Sequence, residues 1–477
     1  MVGIAAYGAY IPRYRLGADT VGWNSRQERA VANFDEDSVT MAVAAGSDCL
    51  AGRDRSLIDG IVFASTTPPY AEKQCAAIVA AALDLRTDIF AVDVANVLRA
   101  GTSALQTALD AVASGRAGQV LVVIADSRQG PPRGETERAS GDGAAAFLIA
   151  DQGVVAEHAG SHAVTDNMLD AWRTPGDPFV RTWEDRFATE EGIERIVPDA
   201  VSGYCQRTGV EPSQVAKIAL YAPDARRHAR LARQLGFADV QVQEPLFGAV
   251  GNTGAAFVPM LLASALETAE AGDLLLAVSY GDGSDIIGFR ATDAIAHAPA
   301  PPMGVSGWLE AKRILGTYET YARWREVWTL DDASRRPAAA SPSVSALWRE
   351  GDKNVRLYGA RCRSCGYVQY PAQRVCVECR KVDDSEPVRL SETPASVFTY
   401  SMDYIAGAVD TPLVVTVVDF EGGGRVLCMM TDRELDEVRV GMPVEMSFRK
   451  LRVVNGIHNY YWKAIPRRTP EPAAVAA

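Results

Sequence analysis

Through the first 298 residues, apolar strand-like runs alternate with small-residue helical segments, and this alternation restricts the fold more than any other feature of the chain. IDGIVFAST (58–66) and GQVLVVIADS (118–127) are nearly unbroken in aliphatic residues, as strands of a buried sheet are. VTMAVAAGSDCLAG (39–52) and TSALQTALDAVASG (102–115) read as helices stopped by glycine. Such alternation predicts an α/β fold with largely buried sheets. GDGAAAFLIA (141–150) closes a first set of elements. VAKIALYAP, VGNTGAAFVPMLLASALETAEAGD, LLLAVSYGDG and IIGFRAT then repeat the pattern, so two similar halves are expected, 1–160 and 161–298.

After Ala298 the texture changes. APAPPMGVSGW is a proline-rich exit, LEAKRILGTYETYARWREVW (309–328) predicts one charged, aromatic-dotted helix, and RRPAAASPSVS is a flexible connector, so 299–350 is expected to be a linker with a helix. Cys362, Cys365, Cys376 and Cys379 form two CxxC pairs ten residues apart, the spacing that folds two turns around one tetrahedral cation. Four thiolates leave no open coordination position, so the ion expected is a structural zinc. A zinc ribbon over 351–388 and a small β-barrel of the OB type over 389–468 follow, the latter from runs such as ASVFTYSM, TPLVVTVVDF, RVLCMMT and MPVEMSFRKL. Residues 469–477 are expected to be a disordered tail.

With 48% hydrophobic residues the chain can bury sizeable cores, and its length suits roughly three domains. A net charge of −12 argues against general nucleic-acid binding, including by the barrel, because phosphate attraction needs a basic face. The sequence holds no secretory leader pattern and no apolar run of membrane-spanning length, which leads to the expectation of a cytoplasmic protein. The remaining cysteines, Cys49, Cys75, Cys205 and Cys428, lie in apolar contexts and read as core thiols.

DVANVLRAGTSALQTAL (93–109) runs from a buried strand through a tight corner into a helix. Such corners often present a nucleophile, because the helix start supplies free N–H groups and a positive dipole end. Here the apex carries Leu98 and Arg99. VGIAAYGAYIPRYRL, DEDSVTMAVAAG, DAWRTPGDPFVRTWEDRF, VGNTGAAF and AVSYGDGSD together resemble the 3-hydroxy-3-methylglutaryl-CoA synthase branch of the thiolase superfamily, over residues 2–292. Residues 308–466, with VDFEGGGR and VGMPVEMSF, resemble the zinc-ribbon and OB-fold proteins of domain of unknown function thirty-five, which accompany thiolase-like enzymes acting on acyl-CoA.

The resemblance implies a five-layer αβαβα thiolase fold of two similar halves, a homodimer, an active site where the halves join, and a coenzyme A thioester as substrate. It also implies a glutamate, cysteine and histidine triad. Placed on that pattern, Thr66 stands for the glutamate, Leu98 for the cysteine and Tyr221 for the histidine, while Asn252 of the GNT loop is retained.

Leucine cannot form an acyl-enzyme, so ordinary Claisen turnover is not expected. The corner amides around Leu98 to Gly101, with Asn252 beside them, are expected to form an enolate hole. A retro-aldol or aldol reaction on a β-hydroxyacyl-CoA needs only such a hole and a base. Tyr221 is the candidate base or relay, with Asp224, Tyr280 and Asp282 as possible neighbours. The same stretches have structural readings: Tyr221 as a strand-end residue, Asp224 as a helix N-cap, and Tyr280 with Asp282 as turn residues. Arg226, Arg227 and Arg230 are candidates to meet CoA phosphates or else form a solvated face, and His228 on the same helix reads as solvated or salt-bridged. The alternatives are a non-catalytic acyl-CoA-binding subunit that partners a second thiolase-like protein, and a condensing acyltransferase whose nucleophile has moved to Cys75 or Cys205.

Overall fold

The computed structural model describes residues 1–328, 340–406 and 408–468; the expected tail 469–477, and 335–339 of the expected connector, lie outside the described residues. Two compact units result. The first comprises Met1–Ala32, Asp37–Ala80 and Leu85–Tyr321, and the second Asn33–Glu36, Ala81–Asp84 and the described residues of Ala322–Ala477. Among the described residues no helix is long and apolar enough to cross a membrane.

Nine strands form the main sheet of the first unit: β1 (Gly3–Tyr10), β2 (Gly60–Ser65), β3 (Phe90–Ala95), β4 (Gln119–Ser127), β5 (Asp142–Ala150), β6 (Ala156–Thr165), β7 (Lys217–Leu220), β8 (Leu274–Tyr280) and β9 (Gly283–Ala291). Their order is β7-β8-β9-β6-β1-β5-β4-β2-β3. In the first half, β2 runs parallel to β3 and β4, and β5 pairs antiparallel with β4 and β1. The second half repeats this: β7 is parallel to β8, and β9 pairs antiparallel with β8 and β6. The place of β3 is held there by a single parallel bridge between Ile218 and Val242. The halves join where Gly3 faces Glu157 and Ile4 faces Ala156. A side chain on Gly3 would stand 2.1 Å from the Ala156 carbonyl, so only glycine lets the sheets meet.

Helices α1 (Ser38–Cys49) and α3 (Glu194–Thr208) cover the outer faces, against β1, β4 and β5 and against β6 and β9 respectively. Between the sheets lie α2 (Ala100–Ala113) and α5 (Phe257–Leu266), each touching strands of both halves. The result is the five-layer αβαβα thiolase arrangement. Gly101 permits the central contact, since a Cβ there would lie 2.5 Å from the Ala255 carbonyl. The parallel strands β2, β3, β7 and β8 all deliver their C-terminal ends to the starts of these central elements, the usual place for a site in an α/β sheet.

The single helix expected over 309–328 is a correction. Helices Gly304–Glu310 and Tyr318–Trp324 are separated by Arg313–Ile314, which pairs as a strand with Tyr14–Leu16. Trp308 is buried, donates to the Ala9 carbonyl at 2.7 Å and meets Tyr10 edge-on, so this part of the expected linker is packed into the first unit. Tertiary pairing here overrides a helical sequence pattern.

In the second unit, Tyr358–Cys362, Val368–Gln369 and Ser385–Arg389 form a small sheet. β10 (Ala395–Asp403), β11 (Leu413–Phe420), β12 (Arg425–Met430), β13 (Pro443–Val454) and β14 (Ile457–Pro466) close a barrel in the order β10-β11-β12-β14-β13. In β11 every second residue, from Val414 to Phe420, is buried, the period of a strand with one face inward. Arg449 is buried among the carboxylates of Asp35 (3.3 Å), Glu36 (2.7 Å) and Asp432 (2.7 Å), and Lys463 pairs with Asp35 at 2.8 Å.

Candidate active site

The corner before α2 starts with Asn96 at φ 70° and turns through Leu98 and Arg99. Gly281, at φ 152°, lies against it. The position a Cβ on Gly281 would occupy is 2.9 Å from Leu98 Cβ, 3.1 Å from Leu98 N and 3.2 Å from Arg99 N. Glycine therefore lets the turn after β8 pack directly against the corner and its two amides. Arg99 turns away from it: its guanidinium donates to Asp285 at 2.9 Å, to the Val164 carbonyl at 3.1 Å and to Thr165 at 3.2 Å. Asp285 also accepts from Thr102 and Ser103, which anchors the start of α2.

Thr66, at the end of β2, is committed to Asp126 at the end of β4. Its N–H donates to Asp126 Oδ1 at 2.7 Å and its hydroxyl to Oδ2 at 2.8 Å. Ser65 (2.9 Å) and Thr67 (3.1 Å) hydroxyls also donate to Oδ1, and the Ala255 N–H donates to Oδ2 at 2.7 Å. This fully buried carboxylate thus binds β2, β4 and the GNT loop together through five donors. Asp126→Asn puts an amide donor where only acceptors fit, and is expected to cost about 2–3 kcal/mol, read as a lower urea midpoint. An unchanged midpoint would show the hub to be dispensable.

Tyr221, just past β7, and Asn252 meet. Asn252 Nδ2 lies 3.4 Å from Tyr221 Oη and 3.2 Å from the Ala222 carbonyl, and its Oδ1 accepts from Gly254 N at 2.9 Å. Asn252 thus holds Tyr221 and the loop. Accepting from Asn252 leaves the Tyr221 O–H free to donate to a ligand. Tyr280 stacks on Tyr221 (centroids 6.2 Å, 23°) and Phe257 meets it edge-on (5.9 Å, 85°). Burial pushes the Tyr221 phenol above its ordinary pKa, against the pull of Arg128. A phenol held neutral in this way is a donor.

The Tyr280 hydroxyl is buried beside the Asp170 carboxyl without a hydrogen bond of ordinary geometry; burial, then the Asp170 charge, raises its pKa. Burial likewise raises Asp170 above the usual carboxylate range. Arg173 Nη2 donates to the Thr66 carbonyl at 2.6 Å. The sequence reading missed Asp126, Arg128, Asp170 and Arg173; the one signal available was an acid closing an apolar strand, in VVIAD, and another opening DAWR.

Helix α4 (Ala225–Gln234) carries the three candidate phosphate ligands. Arg227 pairs with Asp224 and Asp185, Arg230 with Glu194 at 3.0 Å, and Arg226 is exposed. Asp224 is the N-cap, accepting from the Arg227 N–H at 2.9 Å. His228, expected to be solvated or salt-bridged, is instead buried against Phe247, which depresses its pKa to about 4 and keeps it neutral. Burial pushes the Cys49 and Cys75 thiols up to about 12 and raises Cys205 as well, which disfavours the thiolate at each.

In the second unit the four ribbon sulfurs lie within 4.8 Å of one another, with Cys362–Cys379 and Cys365–Cys376 contacts of 3.6 Å. A tetrahedral zinc with bonds of about 2.3 Å needs sulfurs about 3.8 Å apart, so the cradle fits the ion.

The chain is 34% identical over 343 residues to the hydroxymethylglutaryl-CoA synthase of Methanocaldococcus jannaschii, covering 68% of this chain and 99% of that one. It belongs to the hydroxymethylglutaryl-CoA synthase family. The Methanopyrus kandleri synthase is 34% identical over 342 residues, covering 68% of this chain and 97% of its own length. Two solved structures share the synthase fold: MvaS in complex with 3-hydroxy-3-methylglutaryl coenzyme A (TM-score 0.59, 21% identity, 72% of this chain and 94% of that chain) and an HMG-CoA synthase complexed with CoA (0.61, 18%, 72% and 95%). Residues 205–289 match the C-terminal region of 3-oxoacyl-[acyl-carrier-protein] synthase III, 349–384 the rubredoxin-like zinc ribbon of ChsH2, and 387–449 the ChsH2 C-terminal OB-fold domain. The chain is thus a synthase-family thiolase fold fused to a zinc ribbon and an OB barrel.

Proposed function

We propose that this family member makes or breaks a C–C bond in a β-hydroxyacyl-CoA by aldol chemistry, without an acyl-enzyme. One observation carries the reading: leucine holds the corner where a thiolate would act, while the unit's cysteines are all raised by burial. In the cleavage direction, the Asp170 carboxylate takes the β-hydroxyl proton and a carbonyl forms at Cβ. The Cα–Cβ pair passes to the thioester as an enolate. The Leu98 and Arg99 N–H groups and the Tyr221 O–H stabilise that oxygen, in a space walled by Leu98. Protonation at Cα by the Asp170 carboxyl then yields a shorter acyl-CoA and a free carbonyl compound, so the base is regenerated. Tyr280 packs between Tyr221 and Asp170 and fixes their placement.

The test is incubation of the protein with β-hydroxyacyl-CoA compounds, with detection of both products by mass spectrometry. Tyr221→Phe is expected to lower turnover by about tenfold to a hundredfold, as loss of one oxyanion donor does. Absence of a carbonyl product from any substrate would leave the reading without support.

We also propose that the protein is a homodimer. β3 ends the sheet with one edge unpaired and its residues half-exposed, a surface that sheet proteins commonly cover. Light scattering is expected to give twice the chain mass; a monomer at micromolar concentration would contradict this.

A further inference from the structure

The barrel of the second unit buries a lysine whose carboxylate comes from far away in the chain. Lys463, on β14, is 2% exposed and donates to Asp35, 428 residues distant, at 2.8 Å. Its ammonium also lies 5.0 Å from the centroid of the Phe34 ring. On the paired strand β13, Arg449 reaches Glu36 at 2.7 Å and Asp35 at 3.3 Å. Asp432, just past β12, is the barrel's own acid at this place, and it already serves Arg449 at 2.7 Å and Arg468.

Residues Asn33–Glu36, which belong to the second unit, are shaped to meet these cations. The Glu36 N–H donates to the Asn33 carbonyl at 3.0 Å and the Asn33 N–H to Glu36 Oε2 at 2.8 Å, so the tetrapeptide closes on itself as a turn. Asn33 Nδ2 donates to Asp432 at 2.8 Å and to Thr431 at 3.2 Å, and the Lys450 N–H donates to the Asp35 carbonyl at 2.9 Å. All four side chains of the turn therefore engage the barrel. The other early segment of this unit, Ala81–Asp84, also arrives acid first: Asp84 pairs with Arg356 at 2.5 Å and accepts from the Tyr358 hydroxyl at 2.7 Å.

We propose that Arg449 and Lys463 form a receptor for an acidic turn, and that Asn33–Glu36 are its resident ligand, without which β13 and β14 do not stay closed. Removing one partner of a buried ion pair strands the other charge in the interior, whereas replacing both with apolar side chains of similar size is tolerated. Charge recognition is thereby distinguished from simple filling of space.

The test is amide hydrogen exchange of the full chain, read over β13 and β14, with β5 of the first unit as the reference. Asp35→Leu and Lys463→Met are each expected to speed exchange in β13 and β14 by at least about tenfold and to leave β5 unchanged. Combining the two is expected to bring exchange back to within about threefold of the native chain, because the stranded charge is gone. Where a single variant yields no soluble chain, soluble chain from the combined variant reads the same coupling. Native exchange rates in both single variants would overturn the proposal. A combined variant as open, or as insoluble, as the worse single one would do so too, since the contact would then rest on shape alone.

Discussion

Asp170→Asn is expected to lower turnover of the β-hydroxyacyl-CoA by about a hundredfold to ten-thousandfold, the range for removing a positioned base. The asparagine keeps the shape beside Tyr280 but cannot take the proton. Burial raises the Asp170 pKa, which strengthens the carboxylate as a base, and only the ionised form acts. The sign for activity follows: kcat/KM rises with pH through the raised Asp170 pKa, on a limb displaced upward from the ordinary carboxylate range, and reaches a plateau above it. In Asp170→Asn that limb disappears. Retention of the acidic limb in the variant would assign the base elsewhere. The Tyr221 and Tyr280 phenols move the opposite way for function, since raised pKa values keep both protonated across the neutral range.

Removing zinc has the largest expected effect on stability. The ribbon is small: Val368 and Leu390 are among the few buried side chains that accompany Cys362 and Cys376, too little apolar burial to hold such a segment by itself. Binding to four thiolates is worth about 10 kcal/mol or more in comparable peptides, so metal and fold are expected to be lost together. One zinc per chain should be found by elemental analysis. Its removal by a strong chelator, or Cys376→Ser, should open residues 358–389 to protease. A metal-free chain that resists cleavage there would show that the cysteines do not carry the segment.

Residues whose partners are close in sequence, or whose pattern is repeated, were legible in advance. The aliphatic run 118–127 is a strand, the helix expected over 102–115 runs from Ala100 to Ala113, and the two CxxC pairs converge. The repeat of strand order in the two halves follows from the repeated motifs. The chemistry was less accessible, because its partners are distant along the chain. Asp126 takes donors from 60 and 129 residues away, and nothing local marks it as a hub. Arg449 meets Asp35 across 414 residues. The direction of the Tyr221 shift depends on enclosure by Phe257 and Tyr280, which the sequence YAPD does not carry. The helical pattern of 309–328 was outweighed by pairing of Arg313–Ile314 with β-structure near the N-terminus.

The central claim, that this corner works without covalent capture, is tested most directly by intact-protein mass spectrometry after acid quench during turnover of an acyl-CoA. The account predicts the unmodified chain mass at every time point while shorter acyl-CoA and carbonyl product accumulate. A mass increase equal to the acyl group, mapped to Cys49, Cys75 or Cys205, would contradict it.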